Sequence, residues 1–349
     1  MRQKRLITLV AALVIVAAAA AAMRHVVVRG HDGGDGEAAA LLQRALEQGE
    51  HVAYEGVKSV VVHAPVAGTE RVRVLTAGDG RSRLEYLSGE SAGVTVWDDG
   101  ERLWRWHPRE QRLTVTPTTR ATPEQEARRR RMLLENFRPV RRGEERVAGR
   151  RAAVLELRPQ ARGIPWRRLW VDVETGVILA SVDFDGSGAE RRRTRFEGFT
   201  WVAPPPAGDP RFQPDPAQQR RAVTLPPTDL AGPLTREGLF RRVGFTLVGP
   251  AYLPPGFAWD GGYVFRCNCP GCHRTSARLE FSDGLNTLLL LACGHACPGE
   301  ASCLEHAASL PELRRQLGDV TCLVVGELAR EELTRVLASV TAVERPAAR

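Results

Sequence analysis

The segment RCNCPGCH, residues 266–273, puts Cys267, Cys269, Cys272 and His273 within one short reach of chain. Six of the seven cysteines fall between Cys267 and Cys303, with His273, His295 and His306 among them. Thiols and imidazoles at this density serve three chemistries. Cys267, Cys269, Cys272, Cys293, Cys297 and Cys303 are even in number and would pair off as disulfides in an oxidising compartment. Cys269, Cys272, Cys293 and Cys297 have the paired spacing of two zinc knuckles. Cys269-Pro-Gly-Cys272-His273 also fits the C-x-x-C-H haem attachment pattern. Haem fits worst, because the surrounding strands are unlike a cytochrome and neither Met23 nor Met132 is placed as an axial ligand. Under either remaining chemistry the cluster staples a small domain, and Cys322 stays buried in its own strand.

The compartment decides between disulfide and zinc. The chain opens with Arg2, Lys4 and Arg5, then runs from Leu6 to Met23 without a charge and through an alanine tract. That is a secretory signal peptide or an uncleaved membrane anchor, residues 1–23, with the basic end inside. Everything after Met23 is then extracytoplasmic, periplasmic or on the cell surface, and this favours disulfides over zinc. No cysteine follows the apolar run closely, which excludes a lipid-modified N-terminus.

Elements that position the cysteines follow from turn signals. GGYVFRC ends at Cys267, SARLEF leaves from the same edge, and LNTLLLLAC returns to it after the Asp283-Gly284 hairpin turn. The chain has 349 residues, enough for two domains. Residues 31–37 read as a flexible spacer and AAALLQRALEQG as a short amphipathic helix. Runs such as ERVRVLTAG and SRLEYL alternate apolar and polar residues, the period of antiparallel strands wet on one face. ATPEQEARRRRMLLENF predicts a helix with Thr122 as cap, Pro123 at its first position and Gln125 completing a capping box. More strands follow, with a tight turn at Asp172–Gly176. Residues 37–202 thus form one large antiparallel sheet with covering helices, residues 203–233 a proline-rich, semi-extended linker, and residues 234–349 a smaller α/β domain holding the cysteines. The fold class is mainly β (α+β).

At this point LLENF, ERVAGRRAAVLEL, LWVDVETGVILASVDFDGSG and RTRFEGF in the first domain, with PAYLPPGF, LEFSDGLNTLLLL and VVGEL in the second, resemble the MucB/RseB family of extracytoplasmic sigma-factor regulators. The first domain is similar to LolA-type lipoprotein carriers. The resemblance implies a half-open β-barrel with an apolar concave face, joined to a smaller domain. It implies a partner, the outer part of a membrane anti-sigma factor, and a lipid or acyl ligand that releases the grip, in an envelope stress response. The cysteine cluster and the arginine excess depart from the family pattern.

The residues agree with a groove on their own terms. Trp97, Trp104, Trp106, Trp170 and Tyr86 on a curved sheet would enclose an acyl chain, since apolar burial is non-directional and scales with area; packing under the helices is the competing role for each. Net charge is +8, almost all of it arginine, since Lys4 and Lys58 are the only lysines. Outside the cytoplasm this charge suits anionic headgroups or an acidic partner segment, and no nucleic acid is expected. The run ARRRRM, residues 127–132, points its arginines in several directions and reads as a solvated face or as a contact at the groove mouth. No nucleophile elbow, zinc-protease helix or phosphate loop occurs, so no catalytic role and no cofactor is expected. A regulator is the leading function, and a lipid or lipoprotein carrier using the same groove is the alternative.

Overall fold

A computed structural model of the chain describes residues 33–63, 67–118, 120–225, 229–266, 275–294 and 312–343. The alternating runs of the first domain become strands β1 (Tyr54–Val62), β2 (Gly68–Thr76), β3 (Ser82–Tyr86), β4 (Thr95–Asp98), β5 (Arg102–His107) and β6 (Arg112–Pro117). After a helix come β7 (Phe137–Val147), β8 (Arg150–Pro159), β9 (Trp166–Asp172), β10 (Ile178–Phe184) and β11 (Glu190–Trp201). Their order is β6-β5-β4-β3-β2-β1-β11-β10-β9-β8-β7, each neighbour antiparallel, so only β1 and β11 pair across a long connection. A sheet of this width coils rather than lying flat, and one face must be covered.

Helix α1 (Gly33–Glu47) covers part of it. Leu41, Leu42, Ala45 and Leu46 share a core with Ala153, Leu155 and Leu157 of β8 and with Leu169 and Val171 of β9. The helix begins at Gly33, inside the stretch read as a spacer; once an apolar face nucleates a helix, each added residue brings one more hydrogen bond. Helix α2 (Pro123–Asn136) starts as its sequence predicts. The Thr122 side chain accepts from the Gln125 amide at 3.2 Å, and Gln125 Oε1 accepts from the Thr122 amide at 3.1 Å.

The proline-rich stretch is less free than its composition predicts. Phe212 is buried with Leu75 and Ala77, and Arg81 donates to the carbonyls of Pro205 (2.9 Å) and Pro206 (2.8 Å). After the short helix α3 (Pro216–Gln219), β12 (Val223–Thr224) pairs parallel to β6 and becomes the twelfth strand. Then β13 (Asp229–Leu234) joins the other domain. Proline spares the ladder hydrogen bonds it cannot make by running along edges.

The second domain is a six-stranded sheet of order β13-β15-β16-β17-β19-β18, with β15 (Ala258–Arg266), β16 (Thr275–Ser282), β17 (Thr287–Cys293), β18 (Glu312–Leu317) and β19 (Val320–Gly326). Helices α4 (Arg236–Arg242) and α5 (Arg330–Ala338) flank it, and a separate ribbon pairs β14 (Val248–Pro250) with β20 (Val340–Ala342). β18 was not foreseen: ELRRQL pairs on one side only, as the edge strand, and its polar residues mask the strand period. The fold class is as expected, mainly β with a smaller α/β domain.

Candidate functional site

Strand registers sort the first domain's side chains onto two faces. Leu84 of β3 pairs with Val96 of β4, so Leu84, Tyr86 and Val96 share a face, and Trp97 points the other way. Trp97 pairs with Trp104, and Trp104 and Trp106 pair with Val115 and Leu113. Trp170 alternates with Leu169 and Val171, which lie under α1. Following the pairs through the bulges in β11 and β10 puts Tyr86 on the α1 face and Trp97, Trp104 and Trp106 on the opposite, outer face, while Trp170 shares a buried core with Phe196, against which Tyr54, Phe199 and Trp201 also pack. The five aromatics expected to line one groove are therefore divided. On the outer face Trp97 and Trp104 lie beneath Arg83 and Arg102; the Trp170 indole donates to Glu145 at 2.9 Å. One shift of parity separates the two faces, and composition carries no record of it.

The inner face of β1 to β5 and β11 is apolar and only half-buried. Val72, Val74, Tyr86 and Val96 form its floor, flanked by the partly exposed Tyr54, Val60, Leu84 and Leu103. Tyr54 packs edge-on to Phe196 and at 4.9 Å from Phe199, which in turn meets Trp201 at 4.5 Å. Sequence reasoning did not single out this aromatic row; RFEGFTW carried it, with Phe196 and Phe199 brought to one face by the bulge between them. Burial pushes the Tyr54 phenol up to about 12.

Cations stand on this same face. Lys58 pairs with Val72 and Phe196, and burial followed by the charge of Arg192 brings its ammonium down to about 8. Arg192 donates to Asp183 at 2.8 Å, and Arg167 pairs with the same carboxylate. Burial opposes Asp183 ionisation, but the two guanidiniums outweigh it and hold the carboxyl below its usual range. Arg105, opposite Val96, is also lowered by burial.

In the second domain, Arg266 pairs with Thr275, and Ser276 pairs with Cys293, which is buried at the end of β17. The ends of β15 and β17 and the start of β16 thus lie at one edge. Cys267, Cys269, Cys272, Cys297 and Cys303 lie outside the described residues, and so do Leu6–Met23. Among the described residues no group of His, Cys, Asp and Glu is arranged to hold a metal. Cys322 is fully buried in β19, its thiol raised by burial and donating to the Arg315 carbonyl at 3.2 Å.

Residues 37–207 match the family model of the MucB/RseB N-terminal domain. The chain belongs to the MucB/RseB family. The fold extends the likeness to both domains. The MucA/MucB complex of Pseudomonas aeruginosa is 20% identical, with a TM-score of 0.58 over 88% of this chain and 99% of that one. MucB in complex with MucA(peri) gives 21% and 0.58 over the same shares, and MucB alone gives 19% and 0.52 over 88% and 98%. None of the curated proteins compared with the sequence matches it.

In this MucB/RseB-family protein three of the four arginines of the run turn to acidic partners, and Arg131 is left exposed. Arg128 and Arg129 both reach Asp260 of β15, a fully buried carboxylate, with Arg129 Nε donating at 2.6 Å. Arg129 also lies 3.6 Å from Glu280, and the buried Arg130 lies 3.6 Å from Glu47 of α1. Gln125, which caps α2, donates through Nε2 to Tyr263 at 3.0 Å. Asn136 donates to the carbonyls of Gly256 and Asp283, each at 3.0 Å, and Asn286 donates to Pro165 at 3.0 Å. The Asp283-Gly284 turn packs so closely on α2 that a Cβ at Gly284 would sit 2.1 Å from the Leu133 nitrogen. Exposed arginines in a sequence are indistinguishable from these, because their buried partners come from another domain.

Proposed function

We propose that this protein binds the extracytoplasmic part of a membrane anti-sigma factor and senses lipid or envelope state through the apolar inner face of its first domain. The observation that carries the reading is the two-domain match to MucB, a protein solved in complex with MucA. Family membership through residues 37–207 supports the same compartment and task. The half-buried surface of Tyr54, Val60, Leu84, Phe199 and Trp201 supports a lipidic ligand, because apolar area left beside a floor of buried valines gains free energy when an acyl chain covers it. The reading assigns the protein no catalytic role. Among the described residues no helix is long and apolar enough to cross a membrane; the tethering that Leu6–Met23 suggests is part of the proposal.

A lipid or lipoprotein carrier of the LolA type would use the same inner face. The regulator is favoured by the second domain, which is locked to α2 through the buried Asp260. A carrier has no use for that contact. Capture of membrane proteins by the full chain tests the choice: a single-span protein recovered in stoichiometric amount is the expected result. Recovery of lipoproteins or lipid alone would overturn the regulator in favour of the carrier.

A further inference from the structure

Three cations of the first domain share one acid. On the face of β7 to β9 turned away from α1, the nearly buried Glu156 accepts from Arg142 Nε at 2.7 Å, Arg158 Nε at 2.8 Å and Arg168 Nη2 at 2.6 Å. Three positive charges against one negative leave an excess of two. Glu190, which pairs with Phe184 one strand further on, is already held by Arg193 and His63. The guanidiniums stay open to solvent, with the Arg142 side chain 51% exposed and that of Arg158 41%. Each has five N–H donors and turns no more than two of its nitrogens to the carboxylate. Aromatic rings stand among them. Trp166 and Phe184 stack at 4.0 Å, Arg158 lies over Trp166 at 4.0 Å, and Arg168 lies over Phe184 at 5.4 Å.

We propose that the Arg142, Arg158 and Arg168 cluster, with Trp166 and Phe184, docks the first domain on an anionic bilayer surface. The proposal rests on the extracytoplasmic reading and is separate from the apolar inner face, which lies on the other side of the sheet. A guanidinium fork matches phosphate oxygens in pairs, and amphipathic rings such as the Trp166 indole suit the headgroup level. Glu156 and the stacked rings order the forks in advance, so little side-chain freedom is lost on contact. The course of the chain agrees. Helix α1 enters beside the edge strand β7, with Glu37 3.3 Å from Arg141, the residue before Arg142. Nine residues separate Met23 from Gly33, a reach of at most about 35 Å. An anchor at Leu6–Met23 would therefore hold this edge of the sheet close to the bilayer.

Co-flotation of the chain from Arg24, which keeps every described residue and lacks the apolar run, tests this. The vesicles are phosphatidylcholine alone and phosphatidylcholine mixed with phosphatidylglycerol. Only the anionic vesicles should carry the protein, and added salt should release it. Arg142→Gln leaves Glu156 two partners and should weaken binding about fivefold, the worth of one basic residue near such a surface. Arg109→Gln, at an exposed position in the β5–β6 turn, and Val60→Asp, on the inner face, should leave binding unchanged. Equal losses with Arg142→Gln and Arg109→Gln would reduce the contact to net charge and overturn the docking surface. Loss with Val60→Asp alone would overturn it by moving the lipid contact to the groove. Capture of poly-glutamate but not of vesicles, lost in Arg142→Gln, would give the cluster to an acidic protein segment instead. Equal binding to both vesicles, or to neither, would also overturn the surface, and would leave the regulator reading standing, since that reading needs no bilayer contact.

Discussion

Glu156 shows how a residue that is opaque in the sequence becomes definite in the fold. It lies on the outer face, almost fully buried, and takes hydrogen bonds from Arg142 (2.7 Å), Arg158 (2.8 Å) and Arg168 (2.6 Å). Burial raises its pKa, but the three guanidiniums outweigh that and bring it from 4.5 down to about 2. A depressed carboxylate stabilises the fold at every pH above its unfolded value and loses the contribution as pH falls through the folded one. Unfolding temperature should therefore drop between pH 4.5 and pH 2 more steeply in the native protein than in Glu156→Gln, which starts lower and changes less. Parallel curves would show the triad to be inert. Asp260 makes a different demand. Asp260→Ala leaves Arg128 and Arg129 without their shared partner, and urea titration should show a loss of about 1.5–3 kcal/mol, the range for hydrogen bonds to charged groups.

Among the elements, the turns and strands were the most legible. Eleven of the strands of the large sheet coincide with runs read as strands, several of which alternate strictly, and the Thr122–Gln125 capping box is formed as read. Face assignment was not legible, because a bulge in β11 shifts parity between Val57 and Lys58 and nothing local announces it. The Asp283-Gly284 turn was read as a hairpin, and its second role, docking on α2, depends on a distant segment. Gly284 adopts φ +95°. Gly284→Ala should cost about 1–3 kcal/mol in backbone strain alone and, by pushing on Leu133, should speed proteolytic cleavage between the domains. Unchanged cleavage would show that the turn does not hold them. For the cysteine edge we propose disulfides, each worth about 2–4 kcal/mol to a small domain. Denatured, unreduced protein should expose about one thiol, that of Cys322; roughly four or more thiols with stoichiometric zinc would make the edge a metal knuckle instead.

The whole molecule is less divided than its two sheets suggest. One apolar core runs from Leu42 of α1 through Leu133 and Phe137 to Phe281, Leu288 and Leu333 of the second domain. The large sheet and the smaller sheet that follows it were readable from the sequence; the shared core was not, since the apolar stripe of α2 looks the same whatever it faces. This arrangement has a consequence for biosynthesis. Chains are made from the N-terminus, and domains generally fold as they emerge. Here the first sheet is complete at Trp201, but the wall that Leu133 and Gln125 require is supplied by Tyr263, Phe281 and the Asp283-Gly284 turn. Until that turn has been made, α2 presents leucines and cations to whatever is nearby. The nascent first domain should accordingly be sticky: a fragment of residues 33–225 should bind a hydrophobic dye and aggregate at concentrations where the full chain stays monodisperse. A well-behaved fragment with full-chain stability would show that the first domain can wait alone.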